Sequence, residues 1–263
     1  MNEKYDTLLD ILRGMNSVVL AFSGGVDSTF LLRAIKDSGI RAMAVIASSA
    51  TMPESEFKNA VQMAALICMP YRVITTAELE NPDFIRNPAN RCFYCKDELF
   101  IKLFRIADAE GYENVADGSN IDDLKDKRPG REAALRHGVR SPLIEAGIGK
   151  AEIRELSRVL GLPTWSKPSA PCLATRFPYG MKITREGLRM VEESEEFLRS
   201  LGFSELRVRN YHAGLASIEV RLEDIGSLFL PDKRQKIVNY FRALGFRHIT
   251  VDIEGFRSGN LNE

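Results

Sequence analysis

A glycine pair flanked by hydroxyl and carboxylate residues lies early in the chain, in the segment Ser23-Gly24-Gly25-Val26-Asp27-Ser28-Thr29. Adjacent glycines allow a tight turn whose backbone amides converge on one anion, and a following helix adds its N-terminal N–H groups. Ser23 and Ser28 would add hydroxyl donors, and Asp27 would hold Mg²⁺ against the phosphates of a nucleotide. The segment lacks the Gly-Lys-Ser/Thr ending of the Walker loop. It therefore predicts ATP binding and does not imply cleavage between the β and γ phosphates.

Three of the four cysteines could carry sulfur or metal chemistry. Cys92 and Cys95 form a C-x-x-C pair in a polar segment just before a predicted helix, a spacing that serves zinc, iron–sulfur and redox sites alike. Cys172 lies in a proline-rich segment, where the nearby Arg176 would favour its thiolate. These three cysteines could ligate three irons of a 4Fe-4S cluster and leave the fourth iron open. Otherwise the pair is structural or binds zinc with other ligands, and Cys68 is predicted to be a small buried hydrophobe.

Apolar runs alternate with helical patterns over the amino-terminal part of the chain. Strands are predicted at 18–22, 42–47, 71–74 and 115–116, and helices at 5–15, 54–67, 96–110 and 150–160. This alternation indicates a doubly wound parallel sheet, in which ligands bind at the carboxyl ends of the strands. Four residues at or just beyond those ends are predicted to bind the nucleotide together with the glycine segment: Ala21, Ser48, Asp117 and Asn120.

The pattern changes after residue 162. Four prolines and little periodicity over 163–182 indicate an ordered linker or active-site loop. Thr184 is a plausible cap for the helix that follows. Beyond it, helices are predicted at 185–201 and 233–244, and strands at 206–209, 216–220 and 248–252. We therefore predict two domains: an α/β domain over 1–165, and a smaller α+β domain over 166–263 with an active-site loop at 166–182.

Arginine dominates the basic residues of this second domain, with 11 of the 14 between positions 172 and 263. Its planar guanidinium suits phosphate and carboxylate better than a lysine does. Arg207 and Arg209 alternate along a predicted strand, so they would face the same side as a paired anion clamp. Glu196 would be a base, a metal ligand or a solvated surface charge. Asp122, Asp123 and Asp126 would bind magnesium or cap a turn before Pro129.

The composition describes an ordinary folded chain, with 44% hydrophobic and 27% charged residues. Lys plus Arg equals Asp plus Glu at 36 each, which argues against a dedicated nucleic-acid binder. No apolar run is long enough to cross a bilayer, and Met1-Asn2-Glu3-Lys4 does not open a signal peptide. We therefore expect a cytoplasmic protein without membrane association. Its three histidines are widely separated, so a metal site would depend on cysteine or carboxylate.

Several motifs together resemble a known family. The glycine segment resembles the PP-loop of the ATP pyrophosphatase superfamily, whose members have the adenine nucleotide alpha hydrolase-like fold, split ATP between the α and β phosphates and transfer AMP to an oxygen of the substrate. With the other motifs, nearly the whole chain resembles the LarE sulfur transferases. These motifs are Asn90–Lys96, Asp117–Asp123, Asp126–Gly130, Ser141–Leu143, Pro171–Gly180 and Gly255–Asn260.

The resemblance implies a concrete activity. LarE enzymes adenylate a carboxylate of pyridinium-3,5-biscarboxylic acid mononucleotide, release pyrophosphate and replace AMP by sulfur. They repeat this on the second carboxylate, in the biosynthesis of the nickel-pincer nucleotide of lactate racemase. The resemblance thus implies ATP and Mg²⁺ as cofactors, a small nucleotide as substrate and a homo-oligomer, typically a hexamer. Within the family-like motifs, it places Cys172 and Arg176 in catalysis, Arg128 at the cofactor and Arg257 at a phosphate.

The source of the sulfur has two interpretations. In single-cysteine members, the cysteine of the Pro-Cys-Leu-Ala motif, here Cys172, gives up its own sulfur and becomes dehydroalanine. This chain also carries Cys92 and Cys95, and so resembles the three-cysteine branch, in which a 4Fe-4S cluster holds and delivers sulfide. We predict the cluster, with the sacrificial cysteine as the alternative. Other functions that the motifs allow are a tRNA thiolase, an ammonia-dependent amide-forming ligase and a nucleotide-sensing module with a redox cluster.

Overall fold

A computed structural model describes residues 3–125 and 129–257. Its strands are β1 (Ser17–Ala21), β2 (Arg41–Ser48), β3 (Tyr71–Thr75), β4 (Asn114–Ala116), β5 (Leu206–Tyr211), β6 (Leu215–Val220) and β7 (His248–Val251). Its α-helices are α1 (Glu3–Arg13), α2 (Val26–Ser38), α3 (Glu54–Leu66), α4 (Pro82–Ile85), α5 (Arg91–Glu110), α6 (Pro129–His137), α7 (Pro142–Glu145), α8 (Lys150–Val159), α9 (Arg185–Ser200), α10 (Ile225–Leu228) and α11 (Pro231–Leu244). The chain divides into two compact units, Met1–Glu78 with Asn90–Ala170 and Leu79–Ala89 with Pro171–Glu263.

The first unit is built on a parallel sheet with the strand order β3-β2-β1-β4. All five residues of β1 are buried, because helices cover both faces of the sheet. Val18 and Leu20 pack into one apolar cluster with residues of α1, α2 and α8. Val19 and Ala21 pack into a second cluster with residues of α5 and α6. The mixed α/β class predicted from the sequence is confirmed.

The strand order determines where a ligand site can form. The chain crosses outward from β1 to β2 and β3, and β4 then pairs with the other side of β1. The segments that follow β1 and β4 therefore leave the carboxyl edge of the sheet side by side. This is the position at which open α/β sheets bind their ligands, and it lies next to the glycine segment.

The second unit contains a smaller sheet with the order β5-β6-β7. The pairing of β5 with β6 is antiparallel and that of β6 with β7 is parallel. Val208 and Ile218 lie in its apolar core together with Phe241 of α11. Thr184 caps α9, and its Oγ1 accepts a hydrogen bond of 3.0 Å from the Gly187 amide, as the sequence predicts.

Residues 79–89 belong to the second unit because they form hydrogen bonds with residues that are distant in sequence. The Asn87 amide group donates to the carbonyls of Phe177 and Pro178, at 3.2 Å and 2.7 Å. The amide of Gly180 in turn donates to the Asn87 carbonyl at 2.9 Å. The division between the two units falls after Ala170, five residues beyond the boundary at 165 that composition suggests. No local sequence pattern indicates that residues 79–89 belong to the second unit.

Two cysteine expectations need correction. Helix α5 begins at Arg91, so Cys92 and Cys95 lie within its first turns and not in a segment preceding it. Cys68 is exposed, with a left-handed φ of 55° at the end of α3. Its neighbour Ile67, only 5% exposed, takes the buried position at this end of the helix. Among the described residues, no helix combines the length and the hydropathy that a membrane crossing requires.

Candidate functional site

The glycine segment forms a tight loop between β1 and α2. Gly24 has φ +69°, and a Cβ atom there would lie 2.6 Å from the Cα atom of Ala60 in α3. The Asn59 side chain also donates to the Gly24 carbonyl at 3.0 Å. Helix α2 begins at Val26, and no described side chain caps its N-terminus at Gly25. Its first-turn amides are therefore available to an anion bound in the loop.

Three oxygen-bearing side chains surround this helix start. Ser28 is buried, and its hydroxyl lies 3.2 Å from both the Ser23 hydroxyl and the Gly25 carbonyl. Asp27 Oδ2 accepts a hydrogen bond of 2.5 Å from Lys150, whereas the buried Oδ1 has no partner among the described residues. Magnesium usually binds nucleotide phosphates with one or two protein carboxylates. Asp27 fits that requirement through its unpaired oxygen.

The segment after β4 packs directly against the start of α2. A Cβ atom on Gly118 would lie 3.0 Å from the Ser28 amide nitrogen, so a larger residue would push the two backbones apart by a few tenths of an ångström. Asp117 is buried, and its carboxylate accepts hydrogen bonds of 2.8 Å from the hydroxyls of Ser119 and Ser141. Asp117 therefore holds the segment in shape beside the predicted phosphate site.

The acidic residues beyond this segment act as caps in the structure. Asn120 Oδ1 accepts from the Asp122 amide at 2.9 Å, and Asp123 accepts from the Asn120 amide at 3.0 Å. The Asp122 carboxylate accepts from the Lys150 amide at 2.8 Å and from the Lys125 ammonium at 2.7 Å. The hydrogen bond from Lys125, then that from the Lys150 amide, lowers the pKa of Asp122. Asp122 and Asp123 thus accept the capping bonds, their binding of magnesium stays a prediction, and Asp126 and Arg128 lie outside the described residues.

The remaining predicted positions lie at the ends of β1 and β2. Ala21 is the last residue of β1, and its side chain packs into the apolar cluster beneath α5 and α6. Ser48 ends β2, and its carbonyl accepts from the Thr76 amide at 3.1 Å. Both residues therefore contribute backbone at the carboxyl edge of the sheet.

Sequence reasoning missed two lysines at this edge. Lys150 pairs with Asp27, and Lys167 donates to Glu56 at 2.7 Å and to the Gly24 carbonyl at 3.4 Å. A signal existed for Lys150, which opens helix α8, because a cation at a helix N-terminus is unfavourable unless an anion compensates it. No comparable signal marks Lys167, whose partner is distant in sequence.

The C-x-x-C pair lies on one face of α5, one turn apart, with Cys92 exposed and Cys95 half-buried. Across residues 3–125 and 129–257, no group of three or more His, Cys, Asp or Glu side chains lies close enough together to hold a metal ion. The 4Fe-4S cluster on Cys92, Cys95 and Cys172 stays a prediction.

Arg176 holds the segment that carries Cys172. Its guanidinium donates to both carboxylate oxygens of Glu195, at 2.8 Å and 3.0 Å. A third nitrogen donates to the carbonyls of Pro171 and Cys172, at 2.9 Å and 3.3 Å. Arg176 is only 5% exposed, so these bonds form in a low-dielectric environment, where they are strong. Arg176 therefore fixes the backbone around Cys172 within the second unit.

Arg207 and Arg209 are both buried on β5. Arg209 donates to Glu219 at 2.7 Å and to the Thr175 carbonyl at 2.6 Å. Arg207 donates to the Arg257 carbonyl at 3.3 Å. Burial first, and then the charges of Arg176 and Arg209, lower the pKa of Arg207. The electrostatic environment therefore disfavours its charge, and a bound anion would relieve this.

The buried charges of this group come from Arg176, Arg207, Arg209, Glu195 and Glu219, which leaves one net positive charge when all are ionised. Helix α9 contributes Glu195 to it, whereas the predicted Glu196 is exposed. The two differ because residues 187, 188, 191, 194, 195 and 198 form the buried face of the helix, and position 196 lies off that face. The Arg257 side chain pairs with exposed Glu254 at 2.7 Å, and its carbonyl accepts the hydrogen bond from Arg207.

The fold and this geometry define an α/β protein with a glycine loop at the carboxyl edge of its parallel sheet and a buried arginine group in its second unit. No protein-family profile matches the chain. It is 41% identical over its full length to an uncharacterized protein of Synechocystis sp., covering 98% of that relative. It is 35% identical over 262 residues to the pyridinium-3,5-bisthiocarboxylic acid mononucleotide synthase of Lactiplantibacillus plantarum, covering 99% of this chain and 94% of the relative.

A third relative is an uncharacterized protein of Methanocaldococcus jannaschii, 31% identical over 92% of this chain and 91% of its own length. The similarity to the synthase extends across both units and so includes the glycine loop and the arginine group. The chain belongs to the LarE family.

Proposed function

We propose that the protein is an ATP-dependent sulfur transferase of the PP-loop type. Its substrate would be pyridinium-3,5-biscarboxylic acid mononucleotide, whose carboxylates become thiocarboxylates with release of AMP and pyrophosphate. One observation carries this proposal, the 35% identity over the whole chain to a protein named as the synthase of the bisthiocarboxylic product. The loop at Gly24 supports it, because a nucleotide phosphate is an anion that such a loop can hold.

The first step proposed is adenylation. A carboxylate oxygen of the substrate forms a bond to the α-phosphorus of ATP, and the bond from that phosphorus to the bridging oxygen breaks. Pyrophosphate leaves with the electron pair. The amides at the start of α2 and the hydroxyls of Ser23 and Ser28 would hold the departing phosphates. Magnesium on Asp27 would neutralise the charge that develops on them.

The second step proposed replaces AMP by sulfur at Cys172. The Cys172 thiolate attacks the acyl carbon and AMP leaves with the electron pair of the C–O bond, giving a thioester. Removal of the Cys172 α-proton and cleavage of its Cβ–Sγ bond then release a thiocarboxylate and leave dehydroalanine. Arg176 would serve as a positioning residue, because it binds the backbone carbonyl of Cys172. Sulfide delivered by a cluster on Cys92, Cys95 and Cys172 is the other source to test.

The buried arginines would bind the phosphate of the substrate mononucleotide. Arg207 and Arg209 lie two residues apart on β5 and share one face of the strand. The group carries one net positive charge, and a phosphate needs more than one hydrogen-bond donor in a fixed geometry. The guanidinium groups of Arg207 and Arg209 would supply such donors, because hydrogen bonds to the Arg257 and Thr175 carbonyls already hold them in place.

Replacing Cys172 by serine should separate the two steps. The hydroxyl of a serine is a poor nucleophile at neutral pH, so thiocarboxylate should fall below detection while the first release of pyrophosphate stays within about twofold of wild type. The measurement combines a pyrophosphate assay with mass spectrometry of the product. The matched control is Cys68→Ser, since that exposed thiol lies in the other unit and should be dispensable.

The intact mass of the wild-type protein after anaerobic turnover identifies the sulfur source. A loss equal to one hydrogen sulfide, mapped to Cys172, assigns the sulfur to the cysteine itself. About four irons per chain with Cys172 unchanged would instead assign it to a cluster. Full thiocarboxylate production by the Cys172→Ser variant would contradict both routes.

A further inference from the structure

The side chain of Lys150 contacts the glycine loop, although the sequence of the loop does not indicate a lysine partner. Its ammonium lies 2.5 Å from Asp27 Oδ2, and Asp27 is in the first turn of α2. The side chains of Lys150 and Asp27 are 38% and 25% exposed, so the pair lies at the mouth of the loop and not in the core. A lysine in this position can leave its partner without exposing buried apolar surface.

The backbone of Lys150 is held more firmly than its side chain. Its amide donates to the Asp122 carboxylate at 2.8 Å, and Asp122 follows the segment that leaves β4. A Cβ atom on Gly149 would lie 2.9 Å from the same carboxylate, so a larger residue there would displace the Asp122 side chain. The start of α8 is thereby fixed to the carboxyl edge of the sheet. Only the side chain of Lys150 can exchange one binding partner for another.

The Asp27 carboxylate cannot bind the Lys150 ammonium and a metal ion equally well at the same time. One of its oxygens accepts the ammonium and the other is buried without a partner among the described residues. The arrival of Mg²⁺ with ATP would place a second cation against the same carboxylate and bring phosphate anions into the loop. Both changes favour transfer of the ammonium from the carboxylate to a phosphate oxygen, because cations at such short distances repel one another.

We propose that Lys150 is a phosphate-binding residue that neutralises Asp27 before ATP binds and moves to the pyrophosphate once Mg²⁺ occupies Asp27. The catalytic part of this inference rests on the proposed function. The lysine would then stabilise the leaving group of the adenylation step by contacting its phosphates, as the lysine of a Walker loop contacts the β and γ phosphates. In this chain the cation comes from α8 and not from the loop itself.

Calorimetric titration of the full-length protein with Mg²⁺, before any nucleotide is added, tests the competition at Asp27 without any turnover. In Lys150→Met, Mg²⁺ no longer competes with an ammonium, so half-saturation should need about two- to fivefold less Mg²⁺. Lys150→Arg should restore the wild-type requirement. The matched control is Lys58→Met, which removes an exposed lysine from α3 of the same unit, where it pairs with Glu54 at 3.5 Å.

Pyrophosphate release with the pyridinium dicarboxylate mononucleotide tests the catalytic part. Lys150→Met should lower kcat by at least about 100-fold, as expected for loss of one group that stabilises developing charge. An unchanged Mg²⁺ requirement together with a rate within about twofold of wild type would overturn the inference. If wild type itself releases no pyrophosphate, the proposed substrate is wrong, whereas the Mg²⁺ titration still decides the role of Lys150.

Discussion

Gly24→Ala should abolish nucleotide binding, although it adds a single methyl group. A left-handed conformation costs an alanine about 1–2 kcal/mol, and Gly24 has φ +69°. The new Cβ would also lie 2.6 Å from the Cα atom and 2.9 Å from the backbone nitrogen of Ala60. Relief of that overlap requires the loop or α3 to shift, at a further cost of about 1–3 kcal/mol. The amides of the glycine loop, which we propose bind the phosphates, would then no longer point to one position.

Gly39→Ala is the matched control. Gly39 follows the other end of α2 and has φ +77°, so an alanine there meets the same left-handed strain, but no atom lies within 4 Å of its added Cβ. Calorimetry with an ATP analogue should therefore show binding for this variant and none for Gly24→Ala. The double variant Gly24→Ala, Ala60→Gly should not recover, because the overlap involves Ala60 backbone atoms. Wild-type affinity in Gly24→Ala would show that the loop does not bind phosphate through this turn.

The sequence predicts those parts of the fold that depend on neighbours along the chain. The apolar run of β1 indicates a strand buried on both faces, and the glycine pair indicates the turn that follows it. Thr184 indicates the start of α9, and its hydroxyl does accept the expected amide. Arg207 and Arg209 share a face because strand alternation is a local rule.

Contacts between distant segments could not be predicted in the same way. Lys150 is 123 positions from Asp27 in sequence, and only the strand order brings α8 to the end of β1. Asn87 joins residues 79–89 to the second unit through hydrogen bonds that span about 90 positions. The different burial of Glu195 and Glu196 has another origin. Neighbouring positions on a helix differ by about 100° in direction, so only one of two adjacent carboxylates lies on the buried face.

Glu195→Ala should be among the most destabilising substitutions in the second unit. The Glu195 side chain is 2% exposed and that of Arg176 is 6% exposed, so the variant leaves a buried guanidinium without its carboxylate. It also removes the acceptor of the Val208 amide, which donates to Glu195 at 3.1 Å. Breaking a buried pair from one side typically costs about 3–5 kcal/mol. We expect a loss of that size in the free energy of unfolding, measured by urea denaturation.

Glu196→Ala supplies the comparison within the same helix. That exposed side chain is off the buried face of α9, so its removal should change the free energy of unfolding by less than about 0.5 kcal/mol. Glu195→Gln should fall between the two, because it keeps acceptor and donor atoms near Arg176 and Val208 but removes the charge. Equal stabilities of Glu195→Ala and Glu196→Ala would mean that water reaches the arginine group. In that event Arg176 would not fix the backbone of Cys172, and the case for Arg207 and Arg209 as a preorganised phosphate clamp would fail with it.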